Sequence, residues 1–406
     1  MNLRSAILAV LAAQLALSAP PDTKAPAPPY VEINPSLLDP DIPAQLPPDT
    51  HRDLTFAFSP DERWLAIVAN VYRREDPRGR APGPFSITRV LPLNGRREDV
   101  IQIDPHFTDP HFMVVGSPVW SPDSDALLVK GLALVPATGN RKLPDVIVKA
   151  FNLRGEELMQ RTTSFRPPTG GIYGFLDSKT LLAHSVSGNA FQTTDLQGSV
   201  IRSWKVPKEW NVIDISVSPD RQLLLVSPDD QNSKTLVVDY SSKKVLASKD
   251  NPYNHPFSSS GTALPPYFAE HGMTFCSPGD FASPGPGQPD PGRTSTECWN
   301  VDSGKRIAQF RRFLGGAPAA VTSGGSLIVL TDNFPVKSAR SVSTLKGPGF
   351  SERIIWDFRT GSEIAAWDTS LEDIGGAYRD TPVAISSMGR YVAEGAGDIL
   401  RLYRVR

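Results

Sequence analysis

One local pattern, repeated, constrains this chain more than any other: an apolar alternating run, a tight polar turn, and a second apolar run. It is clearest where Leu54-Thr55-Phe56-Ala57-Phe58 leads through Ser59-Pro60-Asp61-Glu62-Arg63 into Trp64-Leu65-Ala66-Ile67-Val68. It returns around Ser121-Pro122-Asp123-Ser124-Asp125 and Ser218-Pro219-Asp220-Arg221. Proline presets φ at the second turn position and Asp tolerates the third, so the strand folds back on itself. Weaker copies lead into Thr180-Leu181-Leu182-Ala183, Met273-Thr274-Phe275-Cys276, Ser326-Leu327-Ile328-Val329-Leu330 and Tyr391-Val392-Ala393.

Each copy has a second half made of a strand, a polar turn and another strand. Arg353-Ile354-Ile355-Trp356-Asp357, Phe358-Arg359-Thr360-Gly361 and Ser362-Glu363-Ile364-Ala365-Ala366-Trp367 show it best. Four antiparallel strands per unit, recurring every roughly 40 to 65 residues, predict an all-β fold, a seven-bladed β-propeller of four-stranded blades. The Trp356-Asp357 pair with Thr360-Gly361, the Ser-Pro-Asp turns, and Gly397-Asp398 before Ile399-Leu400-Arg401-Leu402-Tyr403 resemble the repeats of the WD-repeat family. The resemblance runs from about residue 50 to 406. It departs from the family in lacking the Gly-His dipeptide, and the Trp-Asp pair is clean in one unit only.

The seventh unit, Val383 to Arg406, runs out after three strands. An open ring would leave bare strand edges. In propellers of this kind an N-terminal segment supplies the missing outer strand. Tyr30-Val31-Glu32-Ile33 is the best candidate and residues 42–46 the second. The expected organisation is therefore a signal peptide over 1–18, a Pro-rich linker with the ring-closing strand over 19–50, and the propeller over 51–406.

Composition agrees with a turn-rich β chain: 31 Gly and 39 Pro in 406 residues, with 40% hydrophobic residues to build cores. A formal net charge of −1 removes any bulk electrostatic case for nucleic acid or an anionic membrane. Arg4, the apolar run Ser5 to Leu17 and the small-x-small site Ala16-Leu17-Ser18 read as a secretory signal. That run is too short for a comfortable span, so the mature chain is expected to be exported, periplasmic or extracellular, and monomeric. Cys276 and Cys298, the two cysteines, are expected to form a disulfide in such a compartment.

For function, the informative feature is where the long connections fall. Residues 72–85, 131–144, 277–295 and 332–350 each join a second strand to a third. Residues 104–117 and 250–265 join one blade to the next. Antiparallel alternation sends all of these to the same face, and loops on a rigid scaffold carry function. Arg73, Arg74, Arg78 and Arg80 make one sector of that face basic, and Lys337, Arg340 and Lys346 face it from the sixth unit. Asp280, Asp290 and Glu297 make the fifth unit acidic. A basic sector suits a carboxylate-bearing partner.

Asp104, His106, Asp109 and His111 form the one cluster with metal-ligating chemistry, although His-x4-His in a proline-bearing loop is not a standard helical spacing. No Gly-x-Ser-x-Gly elbow, phosphate loop or paired-Cys site occurs, and His184 in its apolar run is expected to be a core histidine. The reading is a non-catalytic scaffold for a protein or peptide, needing no cofactor. The alternatives are a lactonase- or lyase-like propeller enzyme with a channel metal or acid–base pair, and a carbohydrate or cell-envelope binding module.

Overall fold

The computed structural model describes residues 28–33, 50–73, 85–94, 99–103, 112–114, 117–133, 145–164, 171–185, 190–207, 210, 212–218, 223–228, 234–250, 267–281, 294–311, 317–331, 342–343, 347–348, 350–370, 383–396 and 399–405. They form seven four-stranded antiparallel blades in a ring. Blade 1 spans 50–103, blade 2 112–164, blade 3 172–205, blade 4 212–250, blade 5 267–311 and blade 6 317–370. Blade 7 takes three strands from 383–404 and its outer strand from Tyr30–Ile33. The register Tyr30↔Tyr403 to Ile33↔Leu400 is the predicted closure. Ile33 buries itself with Leu54, Leu65 and Leu400, so the seam is packed as well as hydrogen-bonded.

Second strands are near-continuous apolar runs because both of their faces are buried, and successive side chains point to opposite faces. In Trp64–Arg73, Leu65, Ile67 and Ala69 pack toward blade 7, whereas Ala66 and Val68 pack toward blade 2. The same division holds around the ring, giving seven apolar clusters, one in each junction between neighbouring blades. The core is thus distributed. Each large apolar side chain buried there contributes about 1.5–3 kcal/mol.

The turns between first and second strands rest on a device more durable than the proline. A hydroxyl at the turn's first position accepts the backbone N–H five residues on: Ser59 from Trp64 at 3.0 Å, Ser121 from Ala126 at 2.9 Å and Ser218 from Leu223 at 3.1 Å. Two of the four units without Ser-Pro-Asp keep it, Thr322 from Leu327 at 2.9 Å and Ser386 from Tyr391 at 3.0 Å. Third strands end on a matching acceptor. Asn152, Asp195, Asp239, Asn300 and Asp357 each cap the following turn through backbone N–H groups. The aspartate of the Trp356-Asp357 pair is thereby a turn cap.

One expectation is refined and another is met. Residues 112–114, assigned from the sequence to an inter-blade link, belong to blade 2: Phe112–Val114 pairs with residues 131–133 of the strand Ala126–Ala133, while Val119–Trp120 pairs further along the same strand. Its inner strand is therefore in two pieces. Cys276 and Cys298 are directly opposed on neighbouring strands, Cα–Cα 4.1 Å, and form the expected disulfide, fully buried between blades 5 and 6. Among the described residues no helix is long and apolar enough to cross a membrane.

Candidate functional site

Strand direction fixes what each end of the ring carries. Connections from first to second and from third to fourth strands emerge at one end, and all of those described are short. Connections from second to third strands, and from blade to blade, emerge at the other. The second group includes 74–84, 134–144, 282–293 and 332–349, together with the links 104–111 and 251–266. A short hairpin, Val342–Ser343 with Gly347–Pro348, lies inside the blade 6 insertion. The long connections therefore all start and finish at strand ends on the same side of the ring.

Arg73 closes the second strand of blade 1 at that end. Its side chain, and Arg74, Arg78, Arg80, Lys337, Arg340 and Lys346, lie outside the described residues, as do Asp104, His106, Asp109 and His111. The described residues contain no group of three or more His, Cys, Asp or Glu side chains suited to a metal ion.

Beneath the insertions the sheets hold buried polar groups. Asn70 donates to the Val114 carbonyl at 2.8 Å and accepts from Ser86 at 2.5 Å, tying blade 1 to the inner strand of blade 2. His184, at the insertion end of its strand in blade 3, is 3% exposed. Its Nδ1 lies 3.0 Å from the Tyr173 hydroxyl, and Nε2 has no hydrogen-bond partner among the described residues. Burial pushes the imidazole down to about 4, so it is neutral at neutral pH. This is the expected core histidine, satisfied at one nitrogen.

Glu297 requires a correction. The sequence places it in an acidic loop sector, but it is buried between blades 4 and 5, with Lys249 Nζ at 2.7 Å and Arg306 Nη1 at 2.9 Å. Burial works to raise its pKa, and the bonds from Lys249 and then Arg306 outweigh it, holding the carboxyl below its usual range. A strand position with alternate apolar neighbours, Cys298 among them, explains the misplacement: alternation put one charge inward, where two cations met it.

The short-turn end is bonded from blade to blade. Asp61 N–H donates to Ser124 at 3.1 Å, joining blades 1 and 2. Glu62, 2% exposed, accepts from Met388 N–H at 2.5 Å and from the Arg390 guanidinium, joining blades 7 and 1. Burial opposes its ionisation, but hydrogen bonds from Ser386, Arg390 and Met388 keep its pKa low. Arg359 grips Glu270 through two bonds of 2.6 Å, joining blades 5 and 6. These side chains are occupied in holding the ring.

This architecture is that of a seven-bladed β-propeller. No protein-family profile matches the sequence, and no curated protein matches it either. Similar solved structures include a chain of the crystal structure of the Mitotic Checkpoint Complex, 16% identical, TM-score 0.49, covering 96% of this chain and 98% of that one. The β-propeller domain of Myceliophteria thermophila Cps50 (Swd1) is 12% identical, TM-score 0.47, over 88% and 96%. Kuenenia stuttgartiensis hydrazine synthase is 16% identical, TM-score 0.42, over 69% and 72%.

Proposed function

We propose that this chain is an exported, WD-repeat-like propeller that binds a protein or peptide partner on its insertion-bearing end. The observation that carries this is the gathering of the long second-to-third connections and inter-blade links at one end of the ring. At the other end, described turn residues already bond one another across blades. A rigid scaffold with variable loops on one face is the usual arrangement for recognition. The basic residues Arg73, Arg74, Arg78, Arg80, Lys337, Arg340 and Lys346 favour a partner rich in carboxylates. Export is supported by the N-terminal pattern and by the buried disulfide, which suits an oxidising compartment.

The test is affinity capture from the organism's exported proteins with the full chain and with a variant whose residues 74–84 are replaced by a short Gly/Ser linker. The expected result is a partner retained by the first and lost by the second, with the melting temperature unchanged. An identical captured set for both would overturn the assignment of the site to this loop.

A further inference from the structure

The short-turn end carries one group of side chains that ring closure does not use. The turn that opens the second strand of blade 5 contains two successive non-glycine residues in left-handed backbone, Glu270 (φ 51°) and His271 (φ 56°). Such residues cost of order 1–3 kcal/mol each and persist only where the surroundings hold them. Here the surroundings do. Arg359 forks onto the Glu270 carboxylate, Thr274 donates to it at 2.5 Å, and the Glu270 and His271 N–H groups donate to Gly325 at 3.2 Å and Ser323 at 2.8 Å.

The consequence is the position of the imidazole. A Cβ on Gly324 of blade 6 would stand 3.0 Å from His271 Cε1, 2.9 Å from Met388 Sδ of blade 7 and 3.1 Å from Ser387 Oγ. Three blades thus bring an imidazole edge and a thioether to within about one Cβ contact of the same point, over the open Cα of Gly324. Cε1 lies between the two ring nitrogens, so both are one bond from that point. His271 is exposed, and among the described residues no hydrogen bond or ion pair occupies its side chain.

Methionine use in the chain points the same way. Met159 is 5% exposed, an ordinary core residue, but Met388 is 49% and Met273 55% exposed. Met273 sits on the His271 turn itself, two residues on. A thioether and an imidazole are ligands for a soft monovalent cation, and thioether sulfur selects Cu(I) over the hard divalent ions. We propose that His271 and Met388 form a surface Cu(I) site between blades 5 and 7, over Gly324 of blade 6. It is separate from the insertion-bearing end and does not depend on the function proposed for that end.

The experiment titrates the full chain with Cu(I) against a chromophoric Cu(I) chelator, and with Ag(I) as a redox-inert probe. One equivalent of each is expected to bind. Met388→Leu and His271→Gln are each expected to weaken binding tenfold or more, with unchanged melting temperatures. Zn(II) binding, if any, should not respond to Met388→Leu. A His106→Ala/His111→Ala double variant tests the other histidine cluster and should leave Cu(I) binding intact. Absence of stoichiometric Cu(I) binding, insensitivity to Met388→Leu, or loss in the His106/His111 variant instead would overturn the proposal. If His271→Gln unfolds the chain, Met388→Leu alone decides, because it keeps the side chain's volume and removes only the sulfur.

Discussion

The junction between blades 3 and 4 and the junction between blades 6 and 7 join the same kind of sheet by opposite chemistry. Between blades 3 and 4 the contact is mostly apolar and aromatic, with a single hydroxyl pair, Thr193 and Tyr240, bonded across it. Leu182 and Phe191 meet Ile215, Val226 and Val238, and Phe191, Trp204 and Trp210 succeed one another edge to face at 5.2 and 5.6 Å. The buried imidazole beside it, His184, is neutral. Between blades 6 and 7 a full ion pair lies at 0% exposure, Arg353 Nε to Glu394 at 2.9 Å. Glu394 also accepts from Thr369 at 2.8 Å, Tyr403 at 3.0 Å and Trp367 at 3.1 Å. Those four bonds match the acceptor capacity of a carboxylate. Burial and the Glu394 charge together push the Tyr403 hydroxyl upward, so it stays a donor.

The difference concerns what each junction can tolerate. An apolar junction accepts any neighbour of suitable shape, and repeated blades all offer apolar faces. A buried charge accepts only a neighbour that brings its counter-charge and hydrogen bonds. The blade 6–7 network, like the buried Lys249–Glu297 pair between blades 4 and 5, therefore restricts which blade may follow its neighbour.

The most severe test of this contrast is Glu394→Ala, which strands the Arg353 charge and is expected to cost about 3–5 kcal/mol in denaturant unfolding. The double variant Arg353→Met/Glu394→Leu should recover most of that loss. A single-variant cost below about 1 kcal/mol would remove the distinction between the junctions. Next in size, Cys276→Ser/Cys298→Ser opens a link within blade 5 and is expected to cost about 3 kcal/mol, read as a lower denaturation midpoint in oxidising buffer.

The neutral histidine gives the apolar junction its own signature. Because folding lowers the His184 pKa from 6.5 to about 4, the unfolded chain binds the proton first as pH falls. Stability should therefore drop between pH 6.5 and 4, by at most about 3 kcal/mol, and that part of the slope should vanish in His184→Phe. Glu62 and Glu297, with depressed pKa values, withdraw their contributions only below the ordinary carboxylate value of 4.5, so the two effects separate on the pH axis. The smallest effect is expected from Arg359→Ala. Its salt bridge with Glu270 is 43% exposed on the arginine side and should be worth under about 1 kcal/mol, measured by the same unfolding curves.

Much of the fold was legible because its signals are local. Apolar runs bounded by turns marked seven units, and the three-strand seventh unit pointed to Tyr30–Ile33. The hydroxyl acceptor five residues before the second strand was the better signal, since Thr322 and Ser386 keep it where Pro and Asp are gone. The two-piece inner strand of blade 2 was missed because Phe112–Val114 is three residues long and is cut off from Val119 by Gly116, Ser117 and Pro118. The His271–Met388 pairing could not be read at all. The two residues sit in different blades, neither has a motif, and they meet through contacts between turns far apart in sequence.

The closing strand has a consequence for the order of events during synthesis. Tyr30 pairs with Tyr403, so the first strand of the ring and its partner leave the ribosome apart by nearly the whole chain. At ordinary elongation rates that interval is on the order of tens of seconds. Throughout it, the blade 1 side of the seam, with Leu54, Phe56, Leu65 and Ile67, has no blade 7 to cover it. A nascent propeller of this design carries an uncovered apolar flank until blade 7 arrives.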